Sequence, residues 1–568
     1  MFLNTIIVMR ACTRPMCACA QEVLHPSVYT QRESPLLPPR AMSHAQSRPG
    51  ALSTVRLAGG ANRNAAVAVP ALHGALETVV AGGGSGDPSL ACFGARLRAG
   101  MPLRIVAFGT SITAGHASPS NERAESYGLN LQRLLRKAYP QSNVTVAIYG
   151  YPGASAAFMR ACIDRMVPVA ADLYLVEIAD NYMPRTTVAY RSVGEYVEGM
   201  LQNLLQRPAR GLGGSVGPAA ILVAPFPQSC SKALASGERA LPAGTADTAN
   251  INRALHAARA NCASNLTLPG VLEALGRDHN LPVSSVRLAL AKAIARHPRP
   301  SSLLRRFLMK DLIHTNSEGS GMLARLVLHA LISRTKGATL AACDAPRQPR
   351  RAFPSIPLQR RSNRSRTPSP GICAFGEELH RWVLSSSGFA YVVERSPLGQ
   401  PKPGLVARRP LATLELCYRG GDAASHALPR YGSQLWWQFG FLRSYVGMGI
   451  ARGECVSGCT CSPREWDAHH SKNVSQTDVS KLFVHHFHEG SARRGGGGGS
   501  GSGSGGCPCV IRLSVLNRTS SGGHKFKVVA LFNGFRMYNP SFALCPREGG
   551  DRWGRGKCSS HELEAAEL

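Results

Sequence analysis

The sequence predicts an α/β domain built on a parallel sheet with helices on both faces, followed by an antiparallel β domain. Two observations predict the first. Five short runs between residues 99 and 337 are almost wholly apolar rather than alternating, as strands covered on both faces are. The segments between them carry apolar residues at helical spacing, and strands that alternate with helices imply parallel pairing. One observation predicts the second. From residue 371 the runs become short, β-branched or aromatic, and are bounded by turn residues, the pattern of an antiparallel sandwich.

The expected strands of the α/β domain are LRIVAF (103–108), VTVAIYG (144–150), LYLVEIA (173–179), AAILVAP (219–225) and LPVSSV (281–286). The first helix, SYGLNLQRLLRKAY, puts Leu129, Leu134 and Leu135 near one stripe. AAFMRACIDRMV, GEYVEGMLQNLLQR and INRALHAARANC read the same way, and SEGSGMLARLVLHALISR closes the unit near 336. In the β domain, FAYVVER, TLELCYR, SQLWWQFGFL, KLFVHHFH, CVIRLSVLN and HKFKVVALF read as strands. Trp436, Trp437 and Phe439 could form a sugar-binding platform, but WWQFGFL is too apolar throughout for an exposed strand, which favours core packing.

The flanking segments have no such periodicity. Residues 1–98 read as targeting sequence plus a disordered lead, 338–370 as a linker rich in proline and arginine, and 534–568 as an unstructured tail. GGGGGSGSGSGG (495–506) reads as a flexible insertion in the β domain, which spans 371–533. The N-terminal MFLNTIIVMRACTRPMCACA fits either a secretory signal or a plastid-type transit segment.

At 568 residues the chain is long enough for two or three domains with proper cores, and its 44% apolar content is ordinary. The formal charge of +31 is mostly arginine and is spread along the chain. A nucleic-acid binder concentrates such charge and interleaves aromatics, so no nucleic-acid partner is expected. An RNA-associated protein using the RS-type dipeptides of the linker is the outlying alternative. No apolar run is long enough to span a membrane.

The stretch FGTSITAG (108–115) carries the first chemical signal. Ser111 stands just past the first strand, at the strand end where open α/β sheets bind ligands. A serine hydroxyl needs a base within reach, a group that orients the base, and donors for the oxyanion. KDLIHTNSEGSG (310–321) offers base and orienter, because a D-x-x-H turn can bring Asp311 back onto His314 and leave the other ring nitrogen for Ser111. YGYPGASAAF places Gly153 ahead of a helix with a backbone N–H to offer, and VEIADNY places the Asn181 amide after the third strand. GGSVG (213–217) fits the nucleophile-elbow pattern G-x-S-x-G, but a strand follows it instead of preceding it, so it reads as a loop.

Serine after strand one, glycine after strand two, asparagine after strand three, and D-x-x-H before the last helix resembles the SGNH (GDSL-type) hydrolases over residues 101–336. The resemblance is to a plant and green-algal branch that reads GTSIT, PGTSS, VEFAVND and DxxHP where this chain reads GTSITAG, PGASA, VEIADNY and DLIHTN. It implies a three-layer α/β/α sandwich with a five-stranded parallel sheet (SGNH/flavodoxin-like). It implies Ser111 as nucleophile, His314 as general base and Asp311 as its orienter. The oxyanion hole would comprise the Ser111 N–H, the Gly153 N–H and the Asn181 side chain. Departures from the family are Thr110 where an Asp usually precedes the serine, Tyr182 where an Asp usually follows the asparagine, with Asp180 before it, and Thr315 where a proline follows the histidine.

The C-terminal segments RSYVGMG, CVSGCTC and SGGHKFKV are similar to the β domain of the same branch. For Cys455, Cys459, Cys461, Cys507 and Cys509, three states stay open: disulfides across adjacent strands, free buried thiols, or a zinc site with His485, His486 and His488 whose spacing matches no standard finger. Disulfides imply an oxidising compartment, and sequons at Asn143, Asn265, Asn363, Asn473 and Asn517 point the same way, towards the secretory route. The expected activity is hydrolysis of a carboxylic ester through an acyl-enzyme, with no metal or cofactor. The expected substrate is an acylated carbohydrate, such as an acetyl group on a glycan. Alternatives are acyl transfer to a sugar and a catalytically weak protein that binds a glycan or another partner.

Overall fold

In a computed structural model, the protein is described over residues 87–115, 125–178, 187–208, 216–239, 268–297, 300–344, 372–395, 401–417, 435–471, 475–487, 507 and 509–533. All of these belong to one compact unit, Ala45–Leu568.

Five strands, β1 (Leu103–Gly109), β2 (Val144–Gly150), β3 (Leu173–Glu177), β4 (Ala219–Ala224) and β5 (Val283–Ser285), form a parallel sheet in the order β2-β1-β3-β4-β5. β1 sits between β2 and β3, so the chain leaving it emerges between the ends of two neighbours. One face packs Ile105, Ala107, Leu173, Leu175 and Ile221 under the helices Tyr127–Ala138 and Ser317–Thr335. The other packs Val106, Phe108, Tyr174, Val176 and Leu222 under the helices Ala156–Ala161 and Thr187–Gln206. The result is a three-layer α/β/α sandwich. In the helix Tyr127–Ala138 the fully buried stripe is Tyr127, Leu131 and Leu135, with Leu129 and Leu134 at its margins. The expected helix at INRALHAARANC lies outside the described residues, and of LPVSSV only Val283–Ser285 is strand.

The α/β unit extends beyond the boundaries read from the sequence. Helix Pro88–Arg98, inside the segment expected to be a disordered lead, is capped by Asp87 and buries Leu90, Phe93 and Leu97 in the core. Its Arg96 reaches Asp172 at 2.7 Å, and Asp172 also accepts the Arg104 N–H at 2.8 Å, which ties the helix to the sheet. A disulfide joins Cys92 to Cys343 in the short helix Ala341–Asp344, so the ordered unit also runs past 337 into the expected linker.

The β domain comprises β6 (Ile372–Phe375), β7 (Val383–Ser387), β8 (Phe389–Arg395), β9 (Pro401–Ala407), β10 (Thr413–Cys417), β11 (Leu435–Arg443), β12 (Ile450–Ser457), β13 (Cys459–Cys461), β14 (Arg464–Asp467), β15 (Gln476–Phe487), β16 (Val510–Val515) and β17 (Phe526–Asn533). One antiparallel sheet has the order β14-β12-β16-β10-β7. The other has the order β13-β15-β11-β17-β9-β8, with β6 also on β17. Between the sheets lie Trp437, Phe439, Phe441, Trp466 and Phe526, with the rings of Trp437 and Phe439 stacked at 4.9 Å. Those two aromatics are core residues; the Trp436 side chain lies outside the description.

The cysteines of the β domain form disulfides: Cys417–Cys507, Cys455–Cys461 and Cys459–Cys509. Cys455, Cys459 and Cys509 have sulfurs within 4.8 Å of one another, but each is bonded to another sulfur and offers no thiolate to a metal. The side chains of His485, His486 and His488 lie outside the description. A further disulfide, Cys162–Cys373, joins the two domains. No helix among the described residues is long and apolar enough to cross a membrane.

Candidate active site

β1 ends at Gly109, and Thr110 caps a single helical turn, Ser111–Ala114. Ser111 is therefore the first helical residue after a buried strand, at the C-terminal end of the sheet and 3% exposed. The turn is anchored from beneath by Glu177, the last residue of β3. Its carboxylate accepts hydrogen bonds from the Thr110 N–H at 2.8 Å, the Thr113 N–H at 3.2 Å, the Thr113 hydroxyl at 2.8 Å and the Thr110 hydroxyl at 3.0 Å. Burial pushes the Glu177 carboxyl up, against these hydrogen bonds, which favour the ionised form.

The second piece is the loop before the helix Ser317–Thr335. Leu308 and Thr315 pair as an isolated bridge, and the Met309 N–H donates to the His314 carbonyl at 2.7 Å, closing a tight turn. Asp311 accepts the N–H groups of Ile313 at 2.9 Å and His314 at 3.0 Å. Between them Leu312 has φ +58°, a left-handed conformation uncommon for a leucine, and its carbonyl accepts the Ser231 hydroxyl at 2.5 Å. Strain of this kind is held only where the surroundings over-determine it, and here it brings the Asp311 carboxylate onto the imidazole of the same loop.

His314 Nδ1 lies 2.6 Å from Asp311 Oδ2, and His314 Nε2 lies 2.9 Å from Ser111 Oγ. Burial pushes the Asp311 carboxyl up, but hydrogen bonds from the His314 ring and from two backbone N–H groups outweigh it and leave its pKa at about 2. An ionised Asp311 accepts only, so it fixes the proton on Nδ1 and leaves Nε2 as the acceptor facing the hydroxyl. Such an arrangement can take a proton from Ser111 as its oxygen attacks an electrophile.

Gly153 stands on the loop after β2, whose first residue donates from the Tyr151 N–H to the Gly109 carbonyl at 2.8 Å. The sequence reading has Gly153 opening the helix. Instead, the helix begins at Ala156 with Ser155 as its cap, and Gly153 lies in the preceding turn with φ +78°. Asn181, with Asp180 and Tyr182, lies outside the described residues, as do Gly213–Ser215 of the GGSVG stretch; Val216 and Gly217 lead into β4. The structure thus brings Ser111, Asp311 and His314 together. Sequence reading missed Glu177, although an acid closing an otherwise apolar strand is a visible signal, and it missed Thr110 and Thr113, whose donors meet that acid.

The chain shares the fold of a two-domain esterase. The solved structure of such an enzyme, described as active on acetylated mannans, superposes with a TM-score of 0.51 at 14% identity, covering 82% of this chain and 99% of that one. A structure of the same description, co-crystallised with mannopentaose, gives a TM-score of 0.49 at 13% identity, covering 81% and 98%. An acetyl xylan esterase from Geobacillus stearothermophilus gives a TM-score of 0.27 at 14% identity, covering 42% of this chain and 95% of its own. No protein-family model matches the sequence. No curated protein matches it either.

Proposed function

We propose that this protein is a serine esterase of the SGNH type, related to the plant and green-algal branch, that hydrolyses acyl esters of a carbohydrate. The observation that carries the proposal is the relay from Asp311 through His314 to Ser111, with distances of 2.6 and 2.9 Å. Ser111 Oγ attacks the ester carbonyl while His314 Nε2 takes its proton. Asp311 holds the imidazole in the required tautomer and stabilises the imidazolium that forms. The oxyanion is met by the N–H groups of Ser111 and Gly153 and by the Asn181 amide. His314 returns its proton to the leaving alcohol, and water activated by the same ring releases the acid from the acyl-enzyme.

The substrate class is an acetylated glycan. The description of the two-domain esterase with the TM-score of 0.51, active on acetylated mannans, supports that choice by analogy of fold. Formed disulfides, together with exposed sequon asparagines at Asn143 and Asn517, support passage through the secretory route.

The test is hydrolysis of p-nitrophenyl acetate by the full chain beside Ser111→Ala, with labelling by a fluorophosphonate. Turnover and labelling in the wild type, both absent in the variant, are the expected result. Equal rates in the two folded proteins overturn the proposal. Acetate release from acetylated mannan and xylan then distinguishes the glycans.

A further inference from the structure

We propose that Glu177 is a positioning residue for the nucleophile, a buried carboxyl group around which the turn carrying Ser111 is folded. The inference rests on the esterase reading and adds to it a group that lies beneath the reacting atoms and touches none of them.

The carboxylate is fully buried at the end of β3, and no ion pair reaches it among the described residues. A buried carboxyl group is costly unless hydrogen bonds replace its water. Here every donor comes from the two residues that bracket the nucleophile closely, Thr110 on one side and Thr113 on the other, through backbone and side chain alike. The four-residue turn is therefore wrapped on one oxygen pair. Space is closed as well: a Cβ at Gly109 would overlap Thr113 Oγ1 and the Glu177 carboxyl group, so the glycine lets that group approach the backbone. The Tyr127 hydroxyl, 3.3 Å from Thr113 Oγ1 and buried, backs the same group from the helix side.

The consequence is geometric. Ser111 Oγ must stay within reach of His314 Nε2, now at 2.9 Å, and must face the ester along one direction. A turn hung from one strand could rotate about its ends. A turn held by four bonds to the neighbouring strand cannot, and a displacement of about 1 Å at a reacting atom costs on the order of a hundredfold in rate.

Glu177→Gln in the full chain tests this, because the amide keeps the size and loses one acceptor that faces the turn. The expected result is a folded protein in which kcat on p-nitrophenyl acetate falls about ten- to a hundredfold, with KM within about twofold and fluorophosphonate labelling slowed by the same factor as kcat. Thr110→Val and Thr113→Val each remove one hydroxyl donor and should lower kcat several-fold with the same unchanged KM. They decide the matter if Glu177→Gln does not fold. A folded variant with kcat within twofold of wild type, or with kcat unchanged and KM raised, overturns the inference. If the wild type itself neither turns over the ester nor takes the label, the esterase reading falls and the inference with it; an active wild type matched by Glu177→Gln removes the inference alone.

Discussion

The carbonyl of Gly153, on the α/β domain, accepts a hydrogen bond from the backbone N–H of Thr477, on the β domain, at 2.7 Å. Ala154 and Thr477 pair beside it as a parallel bridge, and a side chain at Gly153 would come within 2.8 Å of the Ser475 carbonyl. The left-handed turn after β2 is thus built by both domains. Replacing Thr477 by proline deletes that N–H. We expect kcat to fall about tenfold or more, the scale of disturbing an oxyanion donor, while Thr477→Ala, which keeps the N–H, stays near wild type. Steady-state kinetics on p-nitrophenyl acetate decides between them.

Asp311→Asn should leave the protein folded and lower kcat by about 10³–10⁴, because an amide that donates towards Nδ1 selects the wrong tautomer of His314. The same variant reads out stability. The Asp311 pKa lies at about 2 against an ordinary 3.8, so its ionised form is favoured by the fold. Its contribution, on the order of 1 kcal/mol after allowance for solvent screening, is present above pH 4 and is lost as pH falls towards 2. The melting-temperature gap between wild type and Asp311→Asn should close over that window.

Glu198 has the opposite sign. Burial first, then the neighbouring Glu195 and Asp278, raise its pKa to about 7, and burial also pushes the facing His279, 3.5 Å away, down. A raised carboxyl favours the folded state below its ordinary 4.5 and loses that advantage as pH rises through about 7. Denaturation at pH 5 and pH 8 should show wild type losing stability between the two, and Glu198→Gln losing less.

The disulfide between Cys162 and Cys373 spans 211 residues and joins the helix beside the Gly153 turn to β6. An unreduced digest should contain the peptide pair carrying these two cysteines. Changing both to serine should cost about 2–4 kcal/mol, read as a lower melting temperature, since a long closed loop restricts the unfolded chain.

What the sequence made legible was local. The turn at Ser111 and the loop from Asp311 to His314 each announce themselves within eight residues, and the parallel sheet follows from its apolar strands. What stayed hidden depends on contacts across hundreds of residues. The pairing of β6 with β17, and the bond from Thr477 to Gly153, leave no periodic trace in either segment. Helix Pro88–Arg98 was missed because glycine and alanine dominate around it, while its holding partners, Asp172 and Cys343, lie far along the chain. Glu177 stood in plain view inside VEIADNY, but its meaning needs the register of β3 against β1, which sets it beside Gly109.

The bond between Cys92 and Cys343 closes a ring of chain that contains Ser111, Asp311 and His314 together. A protease that cuts once anywhere inside the ring opens it without releasing a fragment, and Ser111 and His314 remain parts of one molecule. Two cuts are needed to detach a piece, and a piece that includes Cys162 stays attached through Cys373. Retention of all three residues in one covalent molecule after a single nick is thereby written into the topology of the chain.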